Sequence, residues 1–600
     1  MIRVADYIAR WLADKGVRHV FMVTGGGAMH LNDALGRHPG LSCIFNHHEQ
    51  ACAIAAEGYY RASGRIPLVN VTTGPGGTNA ITGVFGAWTD SIPMFVVSGQ
   101  VKYATCLARY ASRARQLGDQ EADILAMVAP ITKYSALISD PRTIRHHLER
   151  AWHAAWEGRF GPVWLDVPVD VQGALVEEGS LQGYALPCAP NWMEHADVEA
   201  AGRSLLARFQ EARRPVILLG TGVTRSGTQA ILRDWSARMG VPLVTAWNAH
   251  DLVEDAHPCY VGRPGTVGDR AGNIAVQNAD FLLVLGCRLN IRQISYSWEN
   301  FADRAWIVMV DVDALELIKP TLRIDLPIHA DLTQWVPWWT KEARQRNAHW
   351  SDWLSWCLER RARYPVVLES YRGNRPLNPY QFVKELSLAL AGGETIVCAN
   401  GSACVMTFQA FVVRPDQRLF TNSGSAGMGY DLPAAIGACL ALDRQPVICL
   451  AGDGSIMMNL QELQTLVTLR LPVRIFVINN GGYHSISQTQ HAYFADGLMG
   501  FNPETGVEFP DFERLAAGFG LSYRRLDSRE ALNATLPEIL AWEGPLFCEV
   551  VVDPSQPFSP KLSARKLADG TMVSPRLENL APFLPDAEMR DNRHPDLWEV

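Results

Sequence analysis

Between Gly452 and Gly482 the chain sets out the oxygen donors that a hard cation needs. Gly452-Asp453-Gly454 is followed by twenty-four residues and then by Asn479-Asn480-Gly481-Gly482. Mg²⁺ prefers oxygen ligands and keeps phosphate oxygens in its shell. Asp453, Asn480 and the backbone carbonyl of Gly482 are a suitable set to hold it against a diphosphate. The flanking glycines let the backbone approach the phosphates closely. Each half of the motif follows an apolar run, residues 446–451 and 473–478, that reads as a buried strand. Two strand ends therefore deliver the donors to the carboxyl edge of a sheet, where open α/β sheets bind ligands.

Those strands belong to a longer rhythm. Short β-type runs alternate with helical stretches along most of the chain, which predicts parallel sheets built from βαβ units. The runs are 19–23, 68–72, 94–97 and 163–167 in the first third, and 216–219, 281–285 and 306–310 in the middle. The last third has 395–398, the two motif strands and 546–552. The expected fold is α/β, with three consecutive doubly wound parallel-sheet domains at 1–170, 196–340 and 378–555. Linkers are expected at 171–195 and 341–377, and a C-terminal tail or lid at 556–600.

Composition narrows the class. Six hundred residues exceed a single core. The 48% hydrophobic content, 19% charge and net charge of −8 describe an ordinary globular protein, with no basic face for nucleic acid. Twelve cysteines include no CxxC pair, so reduced thiols are expected rather than a disulfide scaffold. No apolar run reaches membrane-span length, and the first residues lack signal-peptide features, so a cytoplasmic protein is expected.

The paired Gly-Asp-Gly and Asn-Asn-Gly-Gly motif resembles the diphosphate anchor of thiamine-diphosphate enzymes. The resemblance extends through His48-Glu49-Gln50, Thr73-Gly74-Pro75-Gly76-Gly77-Thr78-Asn79, Asp90-Ser91-Ile92-Pro93 and Ser98-Gly99-Gln100. These look like the pyrimidine-binding domain of the acetolactate synthase family, and the motifs run in order over roughly residues 1–555. The resemblance implies thiamine diphosphate and Mg²⁺, with Glu49 as the acid that exchanges a proton with the cofactor's pyrimidine ring. Such a carboxyl must be buried to share a proton. It further implies Met428 as the apolar wedge that bends the cofactor, a role that suits a flexible thioether. Gly401, Ser402, Gly452, Gly454, Ser455 and Tyr483 would line the diphosphate, with Thr73 and Gly74 on the pyrimidine side. Ser455 is expected to donate to phosphate. The middle third resembles the family's flavin domain, which implies FAD at Gly220, Gly222, Gly286, Arg288 and Asp311. An empty or ADP-binding domain is the alternative. The family also implies a homodimer or homotetramer whose sites combine Glu49 of one chain with Asp453 of another.

Four departures set the chain apart from a biosynthetic acetolactate synthase. Asp119 stands where that family has a donor-pocket phenylalanine, next to a retained Gln120. Val169 replaces a lysine, and Thr489 replaces the tryptophan that helps select a 2-ketoacid acceptor. His47-His48 doubles the histidine ahead of Glu49, while His30 and His484 add further imidazoles. Gln120, His48 and His484 are the candidate groups beside the reacting atoms. The phrases at 25–34, 115–121 and 288–293 resemble flavin-containing pyruvate carboligases of branched-sugar (yersiniose A) biosynthesis. The expected reaction is decarboxylation of pyruvate and transfer of its two-carbon unit to a ketone, such as a nucleotide-linked 4-keto sugar. Lys561, Arg565 and Lys566 are then expected to close over that acceptor. The alternatives are acetolactate synthase, a 2-ketoacid decarboxylase, a cyclic-diketone C–C hydrolase, or a binding protein that lost catalysis.

Overall fold

Runs of Val, Ile, Leu and Phe buried on both faces form the central strands of three parallel sheets, as interior strands require. The computed structural model describes residues 1–110, 112, 114–188, 192, 196–373, 375–494, 496–566 and 572–597. The first sheet holds His19–Met22 (β1), Ser42–Phe45 (β2), Leu68–Val71 (β3), Met94–Gln100 (β4), Tyr134–Leu137 (β5) and Pro162–Pro168 (β6). Its order is β2-β1-β3-β4-β6-β5.

The central sheet holds Pro215–Leu219 (β7), Leu243–Thr245 (β8), Tyr260–Gly262 (β9), Phe281–Leu285 (β10), Trp306–Asp311 (β11) and Leu326–His329 (β12). Its order, β9-β8-β7-β10-β11-β12, reverses direction between β7 and β10. That reversal creates the crevice where doubly wound sheets take nucleotides.

In the third sheet, Thr395–Cys398 (β13), Val447–Gly452 (β14), Val473–Asn479 (β15), Ser522–Leu526 (β16) and Leu546–Val551 (β17) run β13-β14-β15-β17-β16. This repeats the run β1-β3-β4-β6-β5 of the first sheet. The similar rhythm of the three thirds is thus a shared topology in the outer two and a different one in the middle.

The chain divides into two compact units. One comprises 1–188, 394–403 and 421–552, and contains the first sheet and the strands β13–β17. Within it Glu49–Ser63 (α1), Pro75–Thr89 (α2) and Asp431–Ala441 (α3) pack through small residues. A Cβ on Gly58 would stand 2.2 Å from the Ala434 carbonyl oxygen, and one on Gly437 would stand 1.9 Å from that of Ala55. Residue 58 thus faces 434 while 55 faces 437, so α1 and α3 run antiparallel at backbone contact.

The other unit comprises 189–393, 404–420 and 553–600. Two expectations change there. The stretch 341–377 carries the helix His349–Arg363. Its Trp350 and Trp353 are buried and donate to the carbonyls of Ala212 and Pro215 at 2.8 and 2.9 Å. Nor does the end of the chain trail away. Leu577 is buried in the central core, Arg270 donates to the Leu580 and Pro582 carbonyls, and Arg576 pairs with Asp303 at 2.8 Å. The backbone of Lys561 pairs with Ala581, and Arg565–Lys566 pairs antiparallel with Met572–Val573. A mostly polar segment with no periodicity is held by side chain to carbonyl bonds that a search for apolar runs does not register. Residues 189–191 and 193–195 of the expected linker, and 567–571 and 598–600 of the expected tail, lie outside the described residues. Among the described residues no helix is long and apolar enough to cross a membrane.

Candidate active site

β14 ends at Gly452 and hands Asp453 to a short helical turn, while β15 hands over Asn479 and Asn480 beside it. The Asp453 carboxylate is buried. It accepts the amide of Gly454 at 2.7 Å on one oxygen, and those of Asn480 and Gly482 at 3.0 and 3.1 Å on the other. Burial pushes its pKa up to about 6 against the pull of these amides, so the site favours a compensating cation. The Asn480 amide nitrogen donates to Ser402 at 3.2 Å, whereas its Oδ1 is buried without a partner. The Gly482 carbonyl accepts the His484 amide at 3.0 Å and retains a lone pair. One carboxylate, one orphaned amide oxygen and one carbonyl fit Mg²⁺. A Cβ at Gly454 would stand 2.1 Å from the Tyr483 ring, and one at Gly482 would stand 1.9 Å from the Phe501 oxygen. These two positions must be glycine for the loops to meet.

The wedge candidate Met428 is half-buried ahead of α3. The next peptide is clamped on both sides: the Gly429 amide donates to Ser455 Oγ at 2.9 Å, and its carbonyl accepts Asn459 at 2.7 Å. Ser455 in turn donates to the buried Asp431, whose carboxyl burial pushes up to about 6. This corrects the expectation for Ser455. A hydroxyl has one proton to give, and here it goes to Asp431 rather than to phosphate. The serine fixes the loop of Met428 to the turn of Asp453.

Glu49 opens α1 and is buried. Its Oε2 accepts the Asn79 amide at 3.0 Å, an interaction the sequence motif contained without showing its use. His48 caps the helix, its Nδ1 accepting the Gln50 amide at 3.1 Å, so that ring nitrogen is occupied by the backbone. Gly74, at φ +62°, lies where a Cβ would stand 2.2 Å from the Gln120 carbonyl; Gln120 itself has φ +63°. Its loop is held by Glu121, which accepts the amides of Leu107, Leu117 and Gly118. Thr73 is buried with an unpartnered hydroxyl oxygen. Asp119, Gln120 and Thr489 are exposed, His484 is buried against Gln488, and His30 packs against Gly173. Gly401 adopts φ +78° ahead of Ser402.

Because α1 and α3 are antiparallel, Glu49 sits by the C-terminal end of α3. Met428 and the Asp453 turn sit by its N-terminal end, about 16 Å away along an eleven-residue helix. One chain does not bring these groups together.

In the central sheet, Gly220 and Gly222 follow β7 and Gly286 follows β10, at the reversal of strand order. A Cβ on Gly220 would stand 2.2 Å from the Gly286 carbonyl oxygen. The bare backbone at this crevice fits a dinucleotide such as FAD. Arg288 is half-exposed on the following loop, and Asp311, at the end of β11, accepts the Asp313 amide at 2.9 Å.

Three family models match in order. They are the N-terminal TPP binding domain of thiamine pyrophosphate enzymes over residues 2–127, the central domain over 203–337 and the C-terminal TPP binding domain over 399–550. Over 560 residues the chain is 31% identical to the acetolactate synthase isozyme 1 large subunit of Escherichia coli (strain K12), covering 93% of this chain and 95% of that one. It is 30% identical over 560 residues to the acetolactate synthase large subunit of Lactococcus lactis subsp. lactis (strain IL1403), with coverages of 93% and 94%. Against acetolactate synthase 1, chloroplastic, of Zea mays, identity is 30% over 568 residues, covering 91% and 85%.

Proposed function

The chain belongs to the acetolactate synthase family of thiamine-diphosphate enzymes, and from that premise we propose that it transfers a two-carbon unit from pyruvate to a ketone. It is a thiamine-dependent carboligase, and the family's cofactors are thiamine diphosphate, Mg²⁺ and FAD. The proposed acceptor is a 4-keto sugar carried on a nucleotide, as in the branched-sugar carboligases its phrases resemble.

When bound, thiamine diphosphate supplies the electron sink for decarboxylation and carbon–carbon bond formation. Asp453, Asn480 and Gly482 would hold Mg²⁺ against the diphosphate. Glu49, kept in place by Asn79, holds and returns one proton at the pyrimidine ring nitrogen. Gln120 and His484 are the proposed donors to the acceptor's oxygen as it gains charge. Since one chain separates Glu49 from Asp453, the proposed working form is a homodimer or higher oligomer.

The ketone reading is carried by Thr489. It is exposed on His484–Tyr493, and its hydroxyl donates back to the Ser485 carbonyl at 2.9 Å. A small side chain turned onto its own helix leaves more room than the family's indole. The relatives' names favour a second reading, acetolactate synthase itself. Mass spectrometry of products formed from pyruvate with competing ketones, keto sugars and 2-ketobutyrate separates the two. Tertiary alcohols from the ketones are expected. A 2-ketobutyrate adduct that outcompetes every ketone would replace the ketone reading with the synthase.

A further inference from the structure

We propose that Glu462 is a positioning residue that acts through Glu49, and this rests on reading Glu49 as the proton-exchanging acid. Glu462 opens the helix Glu462–Leu469, nine residues after Asp453, and is wholly buried. Its carboxylate reaches across to the three-residue loop 46–48 that joins β2 to α1. Oε1 accepts the His47 amide at 2.9 Å, and Oε2 accepts the Asn46 side-chain amide at 2.8 Å and the Thr465 hydroxyl at 2.7 Å. No Lys or Arg among the described residues pairs with it. A buried carboxylate with three donors and no counter-ion serves as an acceptor hub.

Its position explains why the hub matters. The loop 46–48 has few other ties: the Asn46 amide donates to the Met22 carbonyl at 3.2 Å, and His48 caps α1. Glu49 is the next residue, so the direction in which its carboxyl leaves the helix follows from the angle at which this loop enters it. Proton exchange tolerates little misplacement. Asn46 also carries a buried Oδ1 without a partner. A glutamine at 462 can therefore be accommodated: Asn46 turns its amide over, and its oxygen takes the new amide donor.

The test uses the cofactor-loaded enzyme and five variants. Glu462→Ala is expected to lower kcat roughly 10–100-fold, with KM for pyruvate within about 3-fold of the parent. Glu462→Gln is expected to recover most of that loss, because it keeps the acceptor at the His47 amide. Glu49→Gln defines the activator's own contribution, and adding Glu462→Ala to it should lower kcat no further than about 3-fold, since residues acting through one another are not additive. Hydrogen exchange at the amides of 46–48, measured without cofactor, should quicken in Glu462→Ala. Should that variant fold poorly, Asn46→Ala removes one tie alone and should give a smaller loss in the same sense. Multiplying losses in the double variant, or unchanged exchange at 46–48, overturns the proposal. Unchanged turnover in Glu49→Gln overturns instead the reading of Glu49 on which it rests.

Discussion

Asp166 shows how a single carboxyl in this protein answers to pH. It is buried in the first sheet, accepting Ser98 Oγ at 2.6 Å and Gln100 Nε2 at 3.0 Å, and burial pushes its pKa up to about 7. An acid whose folded pKa lies above its unfolded value near 4 gives stability that is full below that value and lost as pH rises through about 7. The melting midpoint should therefore decline between pH 5 and 8, and Asp166→Asn, neutral throughout, should flatten the decline. An equal slope in both proteins would contradict this. The meeting of Asp453, Asn480 and Gly482 was legible at this scale because they lie on one short stretch with glycines around them. Ser455, Asp431 and Glu462 were not, because each acts on a partner distant in sequence, and only folding shows that a serine beside a phosphate turn gives its proton to Asp431.

At the scale of elements, α1 and α3 meet through Gly58 and Gly437 with no room for a methyl group. Gly58→Ala should destabilise by about 1–3 kcal/mol, typical of an overpacked contact. Gly518→Ala, whose new methyl meets nothing within 4 Å, serves as the control. Comparable melting midpoints for the two variants would show that the helix pair yields easily. Most interior strands were legible because both of their faces are apolar, but Leu243–Thr245, interior and buried yet only three residues long, was not. Tyr134–Leu137, Tyr260–Gly262, Leu326–His329 and Ser522–Leu526 were not, because they are short strands at sheet edges and edge strands need no continuous apolar run.

For the whole molecule, the separation of Glu49 from Asp453 makes a stoichiometric prediction. Glu49→Gln and Asp453→Ala chains should each be nearly inactive alone. Unfolded, mixed in equal amounts and refolded, they should regain about a quarter of parental activity, because half the dimers are mixed and each mixed dimer holds one intact site of two. No recovery in dimers proven mixed would place both groups in one chain's site. The domain order and class were legible throughout. The fastened C-terminal segment was not, because its ties are scattered: two buried leucines, an ion pair and polar bonds to carbonyls, with no hydrophobic stripe.

The face that α1 offers to α3 also sets a timetable for the newborn protein. α1 is complete at Ser63, but Ala441 must leave the ribosome before α3 can cover it. At about 5–20 residues per second, the interval is roughly 20–80 s. Once the first sheet closes at Pro168, the nascent chain carries an uncovered strip of alanines and glycines for the rest of that time. Until Ala441 emerges, that strip stays open to any apolar surface it meets.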